Sequence, residues 1–148
     1  MSKHPRIGFA VADGARALIV ATEDGRNFRV VATLESATAH ARTHDLVSDR
    51  PGRSMESSGG AHHAIEAKHD PHELEKDAFL RSVAERLNRD PDGFDRLVLI
   101  APKRQLGQLR GHLTDALRGK VTAELAKDLV KLPSEQLYAR LADLLRLH

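Results

Sequence analysis

The sequence predicts an α/β domain built on a single mixed sheet of about five strands. Residues 1–35 are patterned as three short strands separated by turn signals, and helical and strand-like segments alternate from residue 70 onward. One later stretch, residues 97–101 (LVLIA), is apolar without interruption, which is typical of a strand covered on both faces. An antiparallel meander followed by the order α-β-α-β-α favours one sheet with helices packed on it.

The amino-terminal segment predicts the meander. In residues 7–11, large apolar side chains alternate with small ones, at the two-residue period of a strand. Asp13-Gly14 is a strong hairpin signal because both residues tolerate positive φ, so residues 15–22 are the expected partner strand. A second turn then leads to a third strand over residues 28–34, where apolar positions again alternate with others.

Residues 36 to about 70 have a different composition. Ser, Gly, His, Thr and charged residues dominate, and apolar residues follow neither the helical nor the strand period. Segments of this length without secondary structure are usually functional or disordered. We expect a long loop inside a single domain that spans residues 1–148.

A helix is predicted immediately after this loop. Asp70 is a candidate N-cap, Pro71 suits the first helical position, and Glu73 completes a capping box. The helix is expected to extend to about Arg89. Its apolar positions recur at helical spacing: Leu74, Ala78, Phe79, Val83 and Leu87.

The remaining elements alternate. A strand over residues 94–101 ends at Pro102, residues 121–125 predict a fifth strand, and Pro133 opens a final helix. Leucines at helical spacing mark two helices. The helix between these two strands contains Leu106, Leu109, Leu113 and Leu117, and the final helix contains Leu137, Leu141, Leu144 and Leu145.

Composition excludes several classes of protein. The chain has no Cys, which excludes disulfides, thiolate catalysis and Cys-zinc sites. No apolar run approaches the roughly 20 residues of a membrane span, and no signal peptide is visible. We therefore expect a cytoplasmic protein that needs no cofactor and does not insert into a membrane.

Charge is unevenly distributed although the net charge is only +2. Between Pro102 and Lys131, seven basic residues stand against three acidic ones. A local basic excess of this kind suits contact with phosphate groups. The candidate contacts in this stretch are Lys103, Arg104 and Arg110.

Several motifs resemble those of the bacterial host attachment family. They are residues 48–53 (SDRPGR), residues 58–61 (SGGA), and residues 70–73 (DPHE) with the Glu75-Lys76 and Phe79 that follow. Residues 11–17 resemble the opening hairpin of that family, residues 94–99 its fourth strand, and residues 127–133 its tail. The resemblance extends over nearly the whole chain.

That family in turn looks like the central domain of the class-one release factors of eukaryotes and archaea, which has an RNase H-like, translational machinery component fold. In that domain a Gly-Gly-Gln loop lies between the third strand and the first helix, where this chain has Gly59-Gly60-Ala61. The resemblance implies the fold and a ribosome-facing role for the loop. The replacement of Gln by Ala61 argues against peptidyl-tRNA hydrolysis.

The long loop contains the other candidate contacts. Gly59 and Gly60 permit close approach of the backbone to a phosphate, and otherwise form a flexible turn. Arg50 and Arg53 flank a Pro-Gly turn and suit phosphate oxygens, or pair with nearby carboxylates. His62 and His63 are adjacent hydrogen-bonding groups.

The sequence gives only weak signals for metal binding and for nucleophilic catalysis. His69 and His72 have a spacing that would offer two imidazoles to one metal ion, but the loop promises no rigid frame for a metal site, and solvated side chains explain these histidines better. No nucleophile-elbow motif surrounds the serines of the loop, so no catalytic residue is assigned.

Three functions fit these observations. The first is a non-enzymatic translation-associated factor that binds ribosomal or transfer RNA through the Gly-Gly loop and the basic surface. The second is a protein-interaction module that regulates surface or host attachment without RNA contact. The third is a hydrolase that uses the His-rich loop.

Overall fold

The computed structural model describes residues 5–37 and 71–147. Most of the expected loop at 36–70, and the Asp70 cap that precedes the first helix, lie outside the described residues. The fold is therefore given by the two parts that flank this segment.

Five strands form one mixed sheet with the order β3-β2-β1-β4-β5. The first three strands pair antiparallel, whereas β1 pairs parallel with β4 and β4 pairs parallel with β5. The predicted α/β class and the single mixed sheet are thus confirmed. The strands are β1 (Ile7–Ala12), β2 (Arg16–Thr22), β3 (Arg29–Glu35), β4 (Arg96–Ala101) and β5 (Val121–Ala126).

Helices cover both faces of this sheet. The helices are α1 (Pro71–Asn88), α2 (Lys103–His112), α3 (Asp115–Arg118) and α4 (Ser134–Leu147). One core lies between the sheet and α1, α2 and α3, and the other lies between the sheet and α4. Every residue of β1 is buried because this central strand faces a helical layer on each side.

The apolar pattern of each strand divides its side chains between the two cores. In β4, Leu97 and Leu99 enter the core shared with α1 and α2, whereas Val98 and Ile100 enter the core beneath α4. The uninterrupted apolar run in this strand therefore has the two-sided burial that the sequence predicts.

The first hairpin turn depends on a side chain and not on the positive φ expected of Asp13-Gly14. The carboxylate of Asp13 accepts hydrogen bonds from the backbone N–H groups of Ala15 and Arg16, both at 2.8 Å. Positive φ, at 75°, is instead adopted by Gly25 in the second turn. Here Asp13 stabilises the turn by an Asx-type contact.

The helix marked by the four leucines from Leu106 to Leu117 is two helices. Leu113 is extended (φ −78°, ψ 148°), and Thr114 then caps α3 by accepting a hydrogen bond from the N–H of Leu117. Asn88 of α1 bridges the break: its Nδ2 donates to the carbonyl of His112, and its Oδ1 accepts from the N–H of Thr114. The break lets all four leucines remain buried.

The apolar face of α1 also differs from the prediction. Leu74 is 63% exposed, whereas Leu80 and Ala84 are fully buried. Leu74 lies in the first turn of the helix, whereas the buried residues of the helix lie between Phe79 and Leu87, in its second half.

Candidate functional site

The carboxyl ends of β1, β4 and β5 lie side by side at one edge of the sheet, which we call the carboxyl edge. The pairing of Val11 with Ile100 and of Ala101 with Ala126 aligns these ends. In the sheet, β1 and β4 are neighbours. The chain leaves β1 towards β2, on the side away from β4, and it leaves β4 towards β5, on the side away from β1. A point where connections diverge in this way is the usual ligand position in open α/β sheets.

The described flanks of the segment that contains the Gly-Gly pair reach this same edge. The segment follows the end of β3 and precedes the start of α1. Ser36 and Ala37, at the end of β3, line a groove of about 300 Å³ together with Glu75 and Phe79 of α1. Both described flanks of the segment therefore lie next to each other.

A charge network joins α1 and α2 at the carboxyl edge, and the first hairpin packs against it. The carboxylate of Glu73 lies 3.3 Å from Lys76 Nζ and 3.2 Å from Arg104 Nε, although the contact with Arg104 lacks hydrogen-bond geometry. A Cβ placed on Gly14 would lie 2.6 Å from Lys76 Cγ, so the first hairpin packs on the stem of this lysine. A larger residue at position 14 would therefore require the side chain of Lys76 or the hairpin to shift.

Most of the basic residues between positions 102 and 131 have acidic partners. Lys120 has two backbone partners in addition to an acidic one, because its ammonium group donates hydrogen bonds to the carbonyls of Pro91 and Phe94. The ion pairs are Arg104 with Glu73, Arg110 with Glu124, Arg118 with Asp115, and Lys120 with Asp92.

Three lysines of this stretch have no such partner. Lys103, Lys127 and Lys131 are exposed and form no ion pair in the described parts of the chain. Lys103 follows the end of β4 and Lys127 follows the end of β5. Two of the three lysines of this stretch that form no ion pair among the described residues therefore lie at the carboxyl edge.

Arg110 is held by a bidentate pair with Glu124. Its Nε and Nη2 donate to the two carboxylate oxygens at 2.8 and 2.7 Å. These hydrogen bonds lower the pKa of Glu124, against the opposing effect of partial burial, and raise the pKa of Arg110. The guanidinium predicted to contact RNA is thus engaged within the domain.

The candidates in the long loop lie outside the described residues. These are Arg50, Arg53, Gly59, Gly60, His62, His63 and His69. His72 is described, and its Nδ1 lies 3.9 Å from Glu75 Oε1 on the exposed face of α1. Across residues 5–37 and 71–147, no three His, Asp or Glu side chains are arranged to hold a metal ion.

The sequence gives no indication of one polar pair, which His112 and Asp77 form. His112 Nε2 lies 2.9 Å from Asp77 Oδ1 and connects the end of α2 to α1. Their positions are 35 residues apart, and no motif spacing relates them. Only the packing of α1 against α2 brings them together.

A larger cavity lies at the opposite edge of the sheet. It has a volume of about 660 Å³ and is walled by Ile7, Val98 and Leu145, with Arg96 and Asp24 at its rim. Four separate elements contribute these residues, so no sequence pattern indicates the cavity. None of the predicted contact residues lines it.

No helix in the described part of the chain combines the length and the apolar character that crossing a membrane requires.

Two solved structures have an architecture similar to that of this chain. An archaeal translation termination factor superposes with a TM-score of 0.51 at 13% identity, covering 96% of this chain but 39% of the factor. A second structure, of an archaeal protein, superposes equally well at 13% identity, covering 99% of this chain and 40% of its own length. This chain thus spans about two fifths of either protein, and the likeness is one of fold.

No curated protein matches the sequence. A family profile described as "Protein required for attachment to host cells" matches residues 9–141. The matched range contains all five strands in part or whole, and both flanks of the Gly-Gly segment. The chain belongs to the family of proteins required for attachment to host cells.

Proposed function

We propose that this protein is a non-enzymatic translation-associated factor that binds ribosomal or transfer RNA at its carboxyl edge. One observation carries the proposal: Lys103 and Lys127, which form no ion pair in the described parts of the chain, each follow a strand that ends at the carboxyl edge, where the described flanks of the Gly-Gly segment also lie. The fold shared with an archaeal translation termination factor supports a role on the same kind of target.

The chemistry of this edge suits the phosphate backbone better than the bases. Lysine ammonium groups act as point charges towards phosphate oxygens. Aromatic residues are 3% of the chain, and the stacked pair Phe28 and Tyr138 packs within the core beneath α4. Since stacking platforms are lacking at this edge in the described residues, binding should tolerate different RNA sequences.

Cosedimentation with ribosomes over a series of salt concentrations tests the proposal. Binding through phosphate contacts should weaken steeply with salt, and each lost contact should reduce the logarithmic slope by about 0.9 for duplex or 0.7 for single-stranded targets. The variant Lys103→Gln with Lys127→Gln should bind more weakly and with a smaller slope.

Arg89→Gln is the matched control. Arg89 is exposed, follows the end of α1 at the opposite edge of the sheet, and forms no ion pair in the described residues. The control should bind as the parent does. Equal binding by the double-lysine variant, or binding that salt does not weaken, would contradict the proposal.

A second function is favoured by a different surface. β3 is an edge strand of the sheet, and its Val30 and Val31 are each 42% exposed. An exposed edge with apolar side chains can accept a strand from another protein. This would make the protein an interaction module in the regulation of attachment.

Val31→Lys separates the two functions. It places a charge on the edge strand, which should prevent strand addition by a protein partner while leaving the carboxyl edge unchanged. Ribosome cosedimentation that survives this variant supports the RNA function. Loss of a copurifying protein, with ribosome binding absent in the parent as well, supports the interaction module.

A further inference from the structure

We propose that the cavity of about 660 Å³ opposite the carboxyl edge binds a short apolar peptide by its two free termini, with Arg96 holding the carboxylate and Glu23 the ammonium group. We call this space the amino-edge cavity. It lies at the amino ends of β1, β4 and β5, next to the last turns of α4. None of the residues assigned to RNA binding lines it, so the inference is independent of the proposed function.

The walls of the amino-edge cavity are largely apolar. Ile7 of β1 and Val98 of β4 belong to the core beneath α4, and Leu144 and Leu145 pack against the same core from the end of that helix. Ala123 of β5 lines the cavity with a single methyl group and so leaves room for a ligand. A space of this volume with apolar walls is typical of small-molecule sites.

A β-bulge shapes one side of the cavity. Leu97 pairs with Val121 and Val98 pairs with Ala123, so Thr122 is an extra residue in the edge strand β5. Bulges at the edge of a sheet often redirect a side chain next to a functional site. Thr122 is exposed and lines the cavity, and its hydroxyl forms no hydrogen bond within residues 5–37 and 71–147. The bulge therefore adds an available polar group to the apolar walls.

Two opposite charges line this cavity without pairing. Arg96 and Glu23 are exposed, and neither side chain forms an ion pair or a hydrogen bond among the described residues. Arg96 and Thr22, the residue before Glu23, pair with Ile7 from opposite sides. Since neighbouring strands lie about 4.8 Å apart, these two backbone positions are separated by about 10 Å. A ligand that carries both charges can bridge the gap that the two side chains leave open.

The turn that contains Glu23 is held by hydrogen bonds. The carboxylate of Asp24 accepts from the backbone N–H groups of Asn27 and Arg26, each at 2.8 Å. These bonds keep the pKa of Asp24 well below its usual range, so that its carboxyl stays ionised. Asp24 is thus occupied within the turn and adds negative charge beside the cavity, whereas Glu23 is available to an ammonium group.

These groups together match a zwitterion with an apolar body. The lining contains one cation and two carboxylates, so a ligand with only negative charge, such as a phosphate or a fatty acid, would meet net repulsion. A guanidinium binds a carboxylate through two parallel hydrogen bonds. An extended chain advances 3.3–3.6 Å per residue, so three residues span roughly 10 Å. A tripeptide with apolar side chains therefore fits the separation of the two charged positions.

Calorimetric titration of the full chain tests this assignment. The probes are the tripeptide Leu-Ala-Leu with free termini, its N-acetylated form, its C-amidated form, and free leucine. We expect the free tripeptide to bind and each blocked form to bind about tenfold more weakly, because each block removes one charged partner. No binding of the free tripeptide, or equal binding of its blocked forms, would overturn the proposal. Leucine that binds as tightly as the tripeptide would overturn the peptide assignment.

Two variants assign the two termini. Arg96→Gln should reduce affinity for the free tripeptide about tenfold and should not further reduce affinity for the C-amidated form. Glu23→Gln should have the same effects on the free tripeptide and the N-acetylated form. Both positions are exposed, so the variants should fold. A variant that weakens free and blocked peptides by the same factor would overturn the assignment of that residue to a terminus.

Arg140→Gln and Glu135→Gln are the matched controls. Both residues are exposed on α4, neither lines the cavity, and neither forms an ion pair in the part of the chain that the structure describes. Both controls should bind the tripeptide as the parent does. Amide NMR of the parent locates the ligand, and the signals of Ile7, Val98 and Ala123 should shift on its addition. Shifts confined to the carboxyl edge would overturn the proposal.

Discussion

The guanidinium of Arg110 in α2 binds both carboxylate oxygens of Glu124 in β5, at 2.8 and 2.7 Å. The two residues are 14 positions apart, and the pair joins a helix of one layer to an outer strand of the sheet. Arg110, predicted from the sequence as an RNA contact, thus has a structural partner within the domain.

Arg110→Gln should therefore affect stability slightly and ribosome binding hardly at all. Both side chains are partly exposed, and pairs of this kind contribute about 1 kcal/mol or less. Urea denaturation measures the first effect, and cosedimentation beside Lys103→Gln measures the second. A larger loss of ribosome binding in Arg110→Gln than in Lys103→Gln would show that Arg110 leaves Glu124 to contact RNA.

The same pair predicts a pH dependence. Hydrogen bonds from Arg110 lower the pKa of Glu124, so its folded-state pKa lies below its unfolded value of about 4.3. The contribution to stability is then fully present above the unfolded pKa and is lost as the pH falls through the folded pKa. The difference in urea midpoint between the parent and Arg110→Gln should be constant near pH 7 and should shrink below about pH 4.3. A difference that grows on acidification would contradict this linkage.

Gly8→Ala should destabilise the domain. A Cβ at Gly8 in β1 would lie 2.7 Å from the ring of Phe94, so the ring or the strand must move. Overpacking of this kind typically costs about 1–3 kcal/mol. The control is Gly107→Ala in α2, where a Cβ meets nothing within 4 Å, and where alanine should raise stability by up to about 1 kcal/mol. Denaturation midpoints that move in the same direction for both variants would be inconsistent with this packing.

The contact between His112 and Asp77 should couple α1 to α2 energetically. The two side chains are 22% and 35% exposed, so their 2.9 Å contact is partly shielded from water. A double-mutant cycle with His112→Ala and Asp77→Ala should give a coupling of about 1 kcal/mol. Arg81→Ala is the comparison, since Arg81 is 4.0 Å from Asp77 and 58% exposed, and its coupling should be smaller. A coupling near zero for His112 would mean that water competes successfully for both groups.

Peptidyl-tRNA hydrolysis should be absent. The chain has Ala61 where the resembling release factors have a Gln, and an alanine side chain cannot position a water molecule or stabilise developing charge. An in vitro release assay on programmed ribosomes checks this. Release above background that Gly60→Val abolishes would show that the loop is catalytic and that the non-enzymatic proposal is wrong.

The order of the elements and the single mixed sheet could be predicted from the sequence because both are expressed in local patterns. The alternation in β1, the continuous apolar run in β4 and the leucine spacing of α4 each report the burial of one element. The parallel pairing of β4 then follows from the helices that separate the later strands. The predicted fold therefore required no knowledge of which side chains touch.

Local patterns were insufficient where a partner came from a distant position. The break at Leu113 is stabilised by Asn88, which lies 26 residues before Thr114, and the exposure of Leu74 depends on which half of α1 packs on the sheet. A leucine at helical spacing predicts a helix but does not state where that helix must bend to fit its neighbour.

The family resemblance and the basic excess were readable from the sequence alone, whereas the tertiary structure decided which charges are available. Residue counts treat Lys103 and Arg110 alike, yet Lys103 forms no ion pair within residues 5–37 and 71–147, whereas Arg110 is bound to Glu124. The physical reason is that charge pairing and hydrogen bonding act over a few ångströms in space, and the packing of α2 against the sheet sets those distances.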